Sequence, residues 1–191
     1  MTLPAGARAA GGPGLGALAA RRSAIAGRWL ALTLESYPAP TARLLARESD
    51  PFRNPVGHTL RQALSGLAEE LIGTMDPGRV TALLDSVVRV RAVQAMSAGE
   101  AVGFVFLARQ ALREELGSGG GLPAADGLGV LEARVDEMAL SAFDLFMRCR
   151  EQIHAIRAGE ARGRTALLDR IREREGRSGG GPAGMDRGAS P

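Results

Sequence analysis

LGVLEARVDEMALSAFDLFMRCREQIHAIRAG, residues 128–159, is the stretch that decides the fold. Leu128, Leu131, Val135, Met138, Ala142, Leu145 and Cys149 follow one another by three and four residues. Ala139, Phe143, Phe146 and Met147 form a second apolar stripe beside them. Steps of three and four belong to a helix, and a face this wide predicts a helix covered on two sides. The polar side carries Glu137, Ser141, Asp144, Arg148 and Glu151, with Asp144–Arg148 and Glu137–Ser141 four apart. The helix is expected from about Leu128 to Gly159. Past weak points at Gly159 and Gly163 it can run on to Glu173.

The same period recurs upstream, and no strand-like alternation is sustained anywhere. A first helix is predicted over 21–36, with Ile25, Trp29 and Leu32 on one face, ended by Tyr37-Pro38-Ala39-Pro40. A short helix follows over 41–48. Asn54-Pro55 is a strong helix start, since Asn accepts from orphan amides and Pro at the first helical position loses no needed donor. That helix should reach Ile72. Asp76-Pro77 repeats the device and opens a helix to about Gln94. Ser97 with Glu100 is a capping box, and one helix is expected from there through AVGFVFLARQALREEL to Leu116. GSGGGLPAADG reads as a loop. The expectation is an all-α, single-domain bundle of about six helices with a long C-terminal helix, of which a globin-like arrangement is one version. Residues 21–165 form the domain. Residues 1–20 are expected to be a flexible N-terminal segment, and 166–191 a helix end and disordered tail.

Composition excludes several functions. The chain has 191 residues and a formal net charge of +3. Every basic residue is Arg, and the 24 of them are interleaved with 21 acids instead of gathered into a stripe, so no nucleic-acid surface is expected. Cys149 is the only cysteine, which rules out an intramolecular disulfide and fits a reducing cytosol. The apolar stretch near the N-terminus is short and broken by Gly and Pro, a poor signal peptide. Ala101 to Ala108 is too short to cross a bilayer. A cytoplasmic protein without a transmembrane segment follows.

Catalysis needs converging acids, bases or nucleophiles, and few are offered. The two histidines, His58 and His154, lie far apart, and no spacing of His, Cys and carboxylates suggests a metal. The glycine runs lack the surroundings of a phosphate loop. No catalytic, cofactor-binding or metal-ligating residues are therefore expected. One feature stands out. Val80, Leu84 and Val87 continue by the same count to Arg91, which places a guanidinium on the buried face and Arg89 on the opposite side, with Asp85 four residues before it. A buried arginine needs a carboxylate or several carbonyls, and Glu100 and Glu35 are the expected acids. Asn54, His58, Arg89, Arg91 and Gln94 are the candidate polar site.

NPVGH (54–58), VVRVRAVQAMSAGEAVGFVFLARQALREEL (87–116) and ALSAFDLFMRCREQIHAIRAGE (139–160) resemble the N-terminal domain family of the RsbT co-antagonist RsbRD. The likeness begins at RWLALTLESYP (28–38) and covers about 21–165. It implies an all-helical, non-enzymatic regulatory or sensory domain, related to non-haem globin sensors of stressosome proteins that dimerise and precede a STAS domain. Free-standing members are similar to small proteins encoded beside redox complexes of dissimilatory sulfur metabolism. Two departures are visible. No STAS domain follows, so no phosphorylatable output is expected on this chain. Ala95 stands where the family usually has an acid, and a proline near Ser97 is replaced, so no ligand role is carried over to those positions.

The expected function is a regulatory or protein-interaction domain with protein partners and no cofactor. The alternatives are an accessory protein of a sulfur-metabolism redox complex, or a haem-binding globin-like sensor with His154 as the only candidate ligand. The final helix has more apolar surface than one core needs. One of its stripes, or the first helix around Trp29, is expected to meet a second copy in a homodimer or another protein.

Overall fold

The computed structural model describes residues 16–48, 50–94, 96–117 and 125–178. All regular elements among them are helical: α1 (Gly16–Ala19), α2 (Arg22–Glu35), α3 (Ala39–Arg47), α4 (Pro55–Ile72), α5 (Pro77–Val93), α6 (Ala98–Val102), a 3-10 turn (Gly103–Val105), α7 (Leu107–Gly117) and α8 (Ala125–Ser178). The chain divides into two compact units, Met1–Arg150 and Glu151–Pro191, and α8 runs through both. Helix begins at Gly16 and Leu18 is buried, so ordered packing starts ahead of residue 21. At the other end α8 reaches Ser178, beyond Glu173, and passes Gly159 and Gly163 without a break. The expected loop after Leu116 lies largely outside the described residues.

Helix starts follow local chemistry. The Asn54 side chain accepts from the Gly57 amide at 2.8 Å, and Asp76 accepts from the Arg79 amide at 2.7 Å, each with proline at the first helical position. Ser97 and Glu100 form the reciprocal capping box. Helix α3 starts at Ala39, two residues early, because Pro38 and Pro40 sit at its N-cap and in its first turn, where no amide is needed.

In the first unit, α4 packs chiefly against α2 and α5, and α2 also packs against α7. Ile25, Trp29, Leu60, Leu64, Leu67, Leu84, Val87, Phe104, Ala108 and Val135 are fully buried between these helices. The segment expected as one helix from Ser97 to Leu116 is broken by the 3-10 turn. Trp29 Nε1 donates to the Phe104 carbonyl at 2.6 Å. That contact falls at the break, after which the chain re-enters α-helix at Leu107. Trp29 is therefore core and not an interface residue.

Three helix C-termini, those of α3, α4 and α7, share one solution. Their last carbonyls lack intrahelical donors, and arginines from elsewhere in the chain supply them. Arg61 donates to Leu45 O at 3.0 Å and Glu48 O at 2.8 Å, closing α3. Arg134, fully buried, donates to Leu71 O at 2.7 Å and Gly73 O at 2.9 Å, closing α4. Arg21 reaches Glu115 O near the end of α7. The planar fork of arginine can hold two carbonyls at once, which lysine does less well. The α4–α5 turn is tied by the buried Glu70 carboxylate, which accepts from Asp76 N at 2.8 Å and Arg79 Nη1 at 2.9 Å.

Candidate functional site

Of the five candidate polar residues, Asn54, Arg89 and Arg91 make side-chain hydrogen bonds, each to different partners. Asn54 is buried. Besides capping α4, its Nδ2 donates to Leu45 O at 3.0 Å and Glu48 O at 2.8 Å, the carbonyls that Arg61 also holds. It joins the end of α3 to the start of α4. Gly57 is required beside it, since a Cβ there would lie 2.2 Å from Asn54 Nδ2. Replacing Asn54 with Ala is expected to cost about 2 kcal/mol in chemical denaturation, from a lost cap and two lost carbonyl contacts. Asn54→Asp keeps the cap acceptor but points a carboxylate at two carbonyls, and should be no more stable than Asn54→Ala.

His58 is half-buried in the first turn of α4 and lines a shallow hollow with Arg61, Gln62 and Glu69. Arg89 is exposed and pairs with Asp85 at 2.6 Å, four residues earlier on α5. Gln94 is half-exposed at the C-cap of α5, and its Oε1 is buried without a hydrogen-bond partner among the described residues.

Arg91 is fully buried, as the stripe count predicts, but its partner is not a carboxylate. Nη1 donates to the Glu100 carbonyl at 2.8 Å and Nη2 to Ser36 Oγ at 3.0 Å. The Glu100 carboxylate serves the capping box instead, and Glu35 lies 3.8 Å from Arg28. The guanidinium is flanked by the rings of Tyr37 and Phe104, 4.9 and 5.2 Å from their centroids. It lies in the last turn of α5 and touches the C-cap of α2, two negative helix ends that compensate its charge. Burial lowers its pKa from the ordinary arginine value, and the nearby Tyr37 hydroxyl opposes that shift. Arg91 thus joins α2, α5 and α6. Arg91→Met keeps the stem packing and removes a desolvated charge along with its bonds, so it should cost only about 1 kcal/mol. Arg91→Ala also opens a cavity and should cost about 3 kcal/mol. Urea midpoints at constant slope measure both.

Sequence reading overlooked two further elements. Arg134 stands three residues after Leu131 and four before Met138, the same signal that revealed Arg91. The other is a surface feature. Ala98, Gly99, Val102 and Gly103 on α6 and its 3-10 turn face Ala139, Leu140 and Phe143 on α8 across an apolar groove of about 560 Å³, with Phe106 at its edge. Leu140 is 63% exposed, and Phe106, Phe143 and Met147 are each more than 40% exposed, whereas Ala139 and Phe146 of the expected second stripe are buried. Arg109 lies over the Phe106 ring at 5.5 Å and pairs with Asp136 at the groove margin.

The interior polar groups join helices, and the outer face offers an apolar groove. These features define an all-α helical domain with an apolar groove on its surface. The chain belongs to the family described as the RsbT co-antagonist protein rsbRD N-terminal domain, which it matches over residues 23–161. No curated protein and no solved structure matches it. No helix among the described residues is long and apolar enough to cross a membrane.

Proposed function

We propose that this chain is a non-enzymatic regulatory domain that acts by contact with proteins in the cytoplasm, and that it forms a homodimer. The observation that carries this reading is the groove lined by the exposed Phe106, Leu140 and Phe143, with exposed Met147 one turn further along α8. Scattered apolar side chains are ordinary on a surface, but a contiguous patch bordering a hollow marks an interaction site. Membership of a regulatory family supports the same reading, and the free, buried Cys149 suits a reducing compartment. The haem-sensor alternative needs His154 inside an apolar pocket, and His154 is exposed on α8. Light scattering coupled to size exclusion at tens of micromolar tests the homodimer. A mass near twice 19.9 kDa is expected, and 19.9 kDa at every concentration overturns it.

A further inference from the structure

We infer that α3 and the turn after it form a peripheral docking surface for an anionic lipid bilayer, with Phe52 and Leu44 entering the headgroup layer and Arg43, Arg47 and Arg53 meeting lipid phosphates. This surface uses none of the groove residues and does not depend on the homodimer.

Phe52 is 93% exposed, more than any other large apolar side chain among the described residues, and Leu44 on α3 is 61% exposed. The turn that carries Phe52 is clamped. Phe52 N donates to Asp50 Oδ1 and Asn54 N to Asp50 O, both at 2.8 Å, while Asp50 N donates to Glu48 Oε1 at 3.1 Å. Asn54 Nδ2 then ties the turn to Leu45 O and Glu48 O at the end of α3. Phe52 is thus held out in water at the tip of an ordered turn. Burial in its own chain does not explain that placement, since almost none of its surface is covered.

The charge around these tips has one sign on the outside. Arg43 and Arg47 are exposed and flank Leu44 in one shallow hollow. They stand four residues apart on α3, where like charges repel, and neither pairs with an acid among the described residues. The C-terminal dipole of α3 compensates Arg47 in part and Arg43 hardly at all. By contrast, Arg28, Arg79, Arg89 and Arg109 all have carboxylate partners. Arg53, with its side chain 75% exposed, lies 3.8 Å from Glu48, beyond hydrogen-bonding reach. The two nearby acids, Glu48 and Asp50, are half-buried and accept from the amides of the turn. Three guanidiniums therefore face out around two apolar tips. Guanidiniums fork onto phosphate oxygens, and apolar side chains beside them suit the boundary between headgroups and acyl chains. A protein partner would have to bring a pocket for Phe52 and acids spaced to match. A fluid bilayer needs neither, because its lipids rearrange around a protruding tip.

Sedimentation of the full chain with vesicles tests this. Binding is expected to phosphatidylcholine vesicles with roughly a third phosphatidylglycerol, and should weaken about tenfold on pure phosphatidylcholine or in high salt. Phe52→Ala should weaken it about tenfold, and Arg43→Gln and Arg47→Gln about fivefold each. Val93→Ser, at an exposed apolar position on α5, should leave it unchanged. All these side chains are exposed, so melting followed by circular dichroism should match that of the parent chain. Phe52→Trp should keep binding, and its emission should move to the blue on anionic vesicles, against a constant background from buried Trp29. No pelleting with anionic vesicles at about one millimolar lipid overturns the inference and turns Phe52 towards a protein pocket instead. Pelleting that Phe52→Ala and the arginine variants leave intact also overturns it, because another surface is then responsible.

Discussion

Replacing Arg134 with methionine is expected to destabilise the first unit by about 3 kcal/mol, a large share of what an ordinary domain has. The reason lies in where its hydrogen bonds go. Arg134 leaves α8 and donates to Leu71 O and Gly73 O, the carbonyls that end α4. Methionine has similar length and keeps most of the packing, but it supplies no donor. Two carbonyls then lose their partner in the interior, each at a cost of about 1–3 kcal/mol. Removing a buried cation gives part of this back. Burial lowers the Arg134 pKa, while Glu137 and Glu70 oppose that shift, so the cation has acidic neighbours and its removal relieves less than an isolated charge would. The matched comparison is Arg91→Met, whose guanidinium holds one carbonyl and one hydroxyl and should cost clearly less. Urea denaturation followed by circular dichroism measures both. Equal losses would show that carbonyl capping is not what makes Arg134 important.

Trp29→Ala should have the larger effect, about 4 kcal/mol, and leave the protein close to unfolding. Trp29 is fully buried and touches the chain where α6 gives way to α7. Its loss opens a large cavity and frees the Phe104 carbonyl from its indole partner. Trp29→Phe separates the two contributions. It refills part of the cavity but leaves Phe104 O without a donor, so it should cost about 2 kcal/mol. The Phe104–Ala108 amides should also change their hydrogen-exchange protection more than those of α4. Protection changes spread evenly over the helices would sink the idea that Trp29 sets the break.

The sequence by itself determined the features whose causes lie within a few residues of one another. Asn54, Asp76 and Ser97 cap helices because their side chains reach amides three positions on, a distance that the local backbone defines. The buried place of Arg91 was legible for the same reason, since helical spacing alone puts it on the face of Val80, Leu84 and Val87. Arg134 obeyed that rule too, and a count through Leu131 and Met138 could have found it. Tertiary structure decided what those buried arginines hold. A guanidinium between helices can choose a carboxylate or a carbonyl, and here Glu100 presents its carbonyl because its carboxylate is engaged at the N-terminus of α6. At the break before α7, Trp29, 75 positions away, holds the Phe104 carbonyl, a contact that no local pattern announces. The two stripes of α8 were visible as surplus apolar surface, but which residues remain outside was not. Phe146 is buried and Phe143 exposed because neighbouring helices cover one side of α8 and leave the other open, and periodicity records only that both lie on the apolar arc.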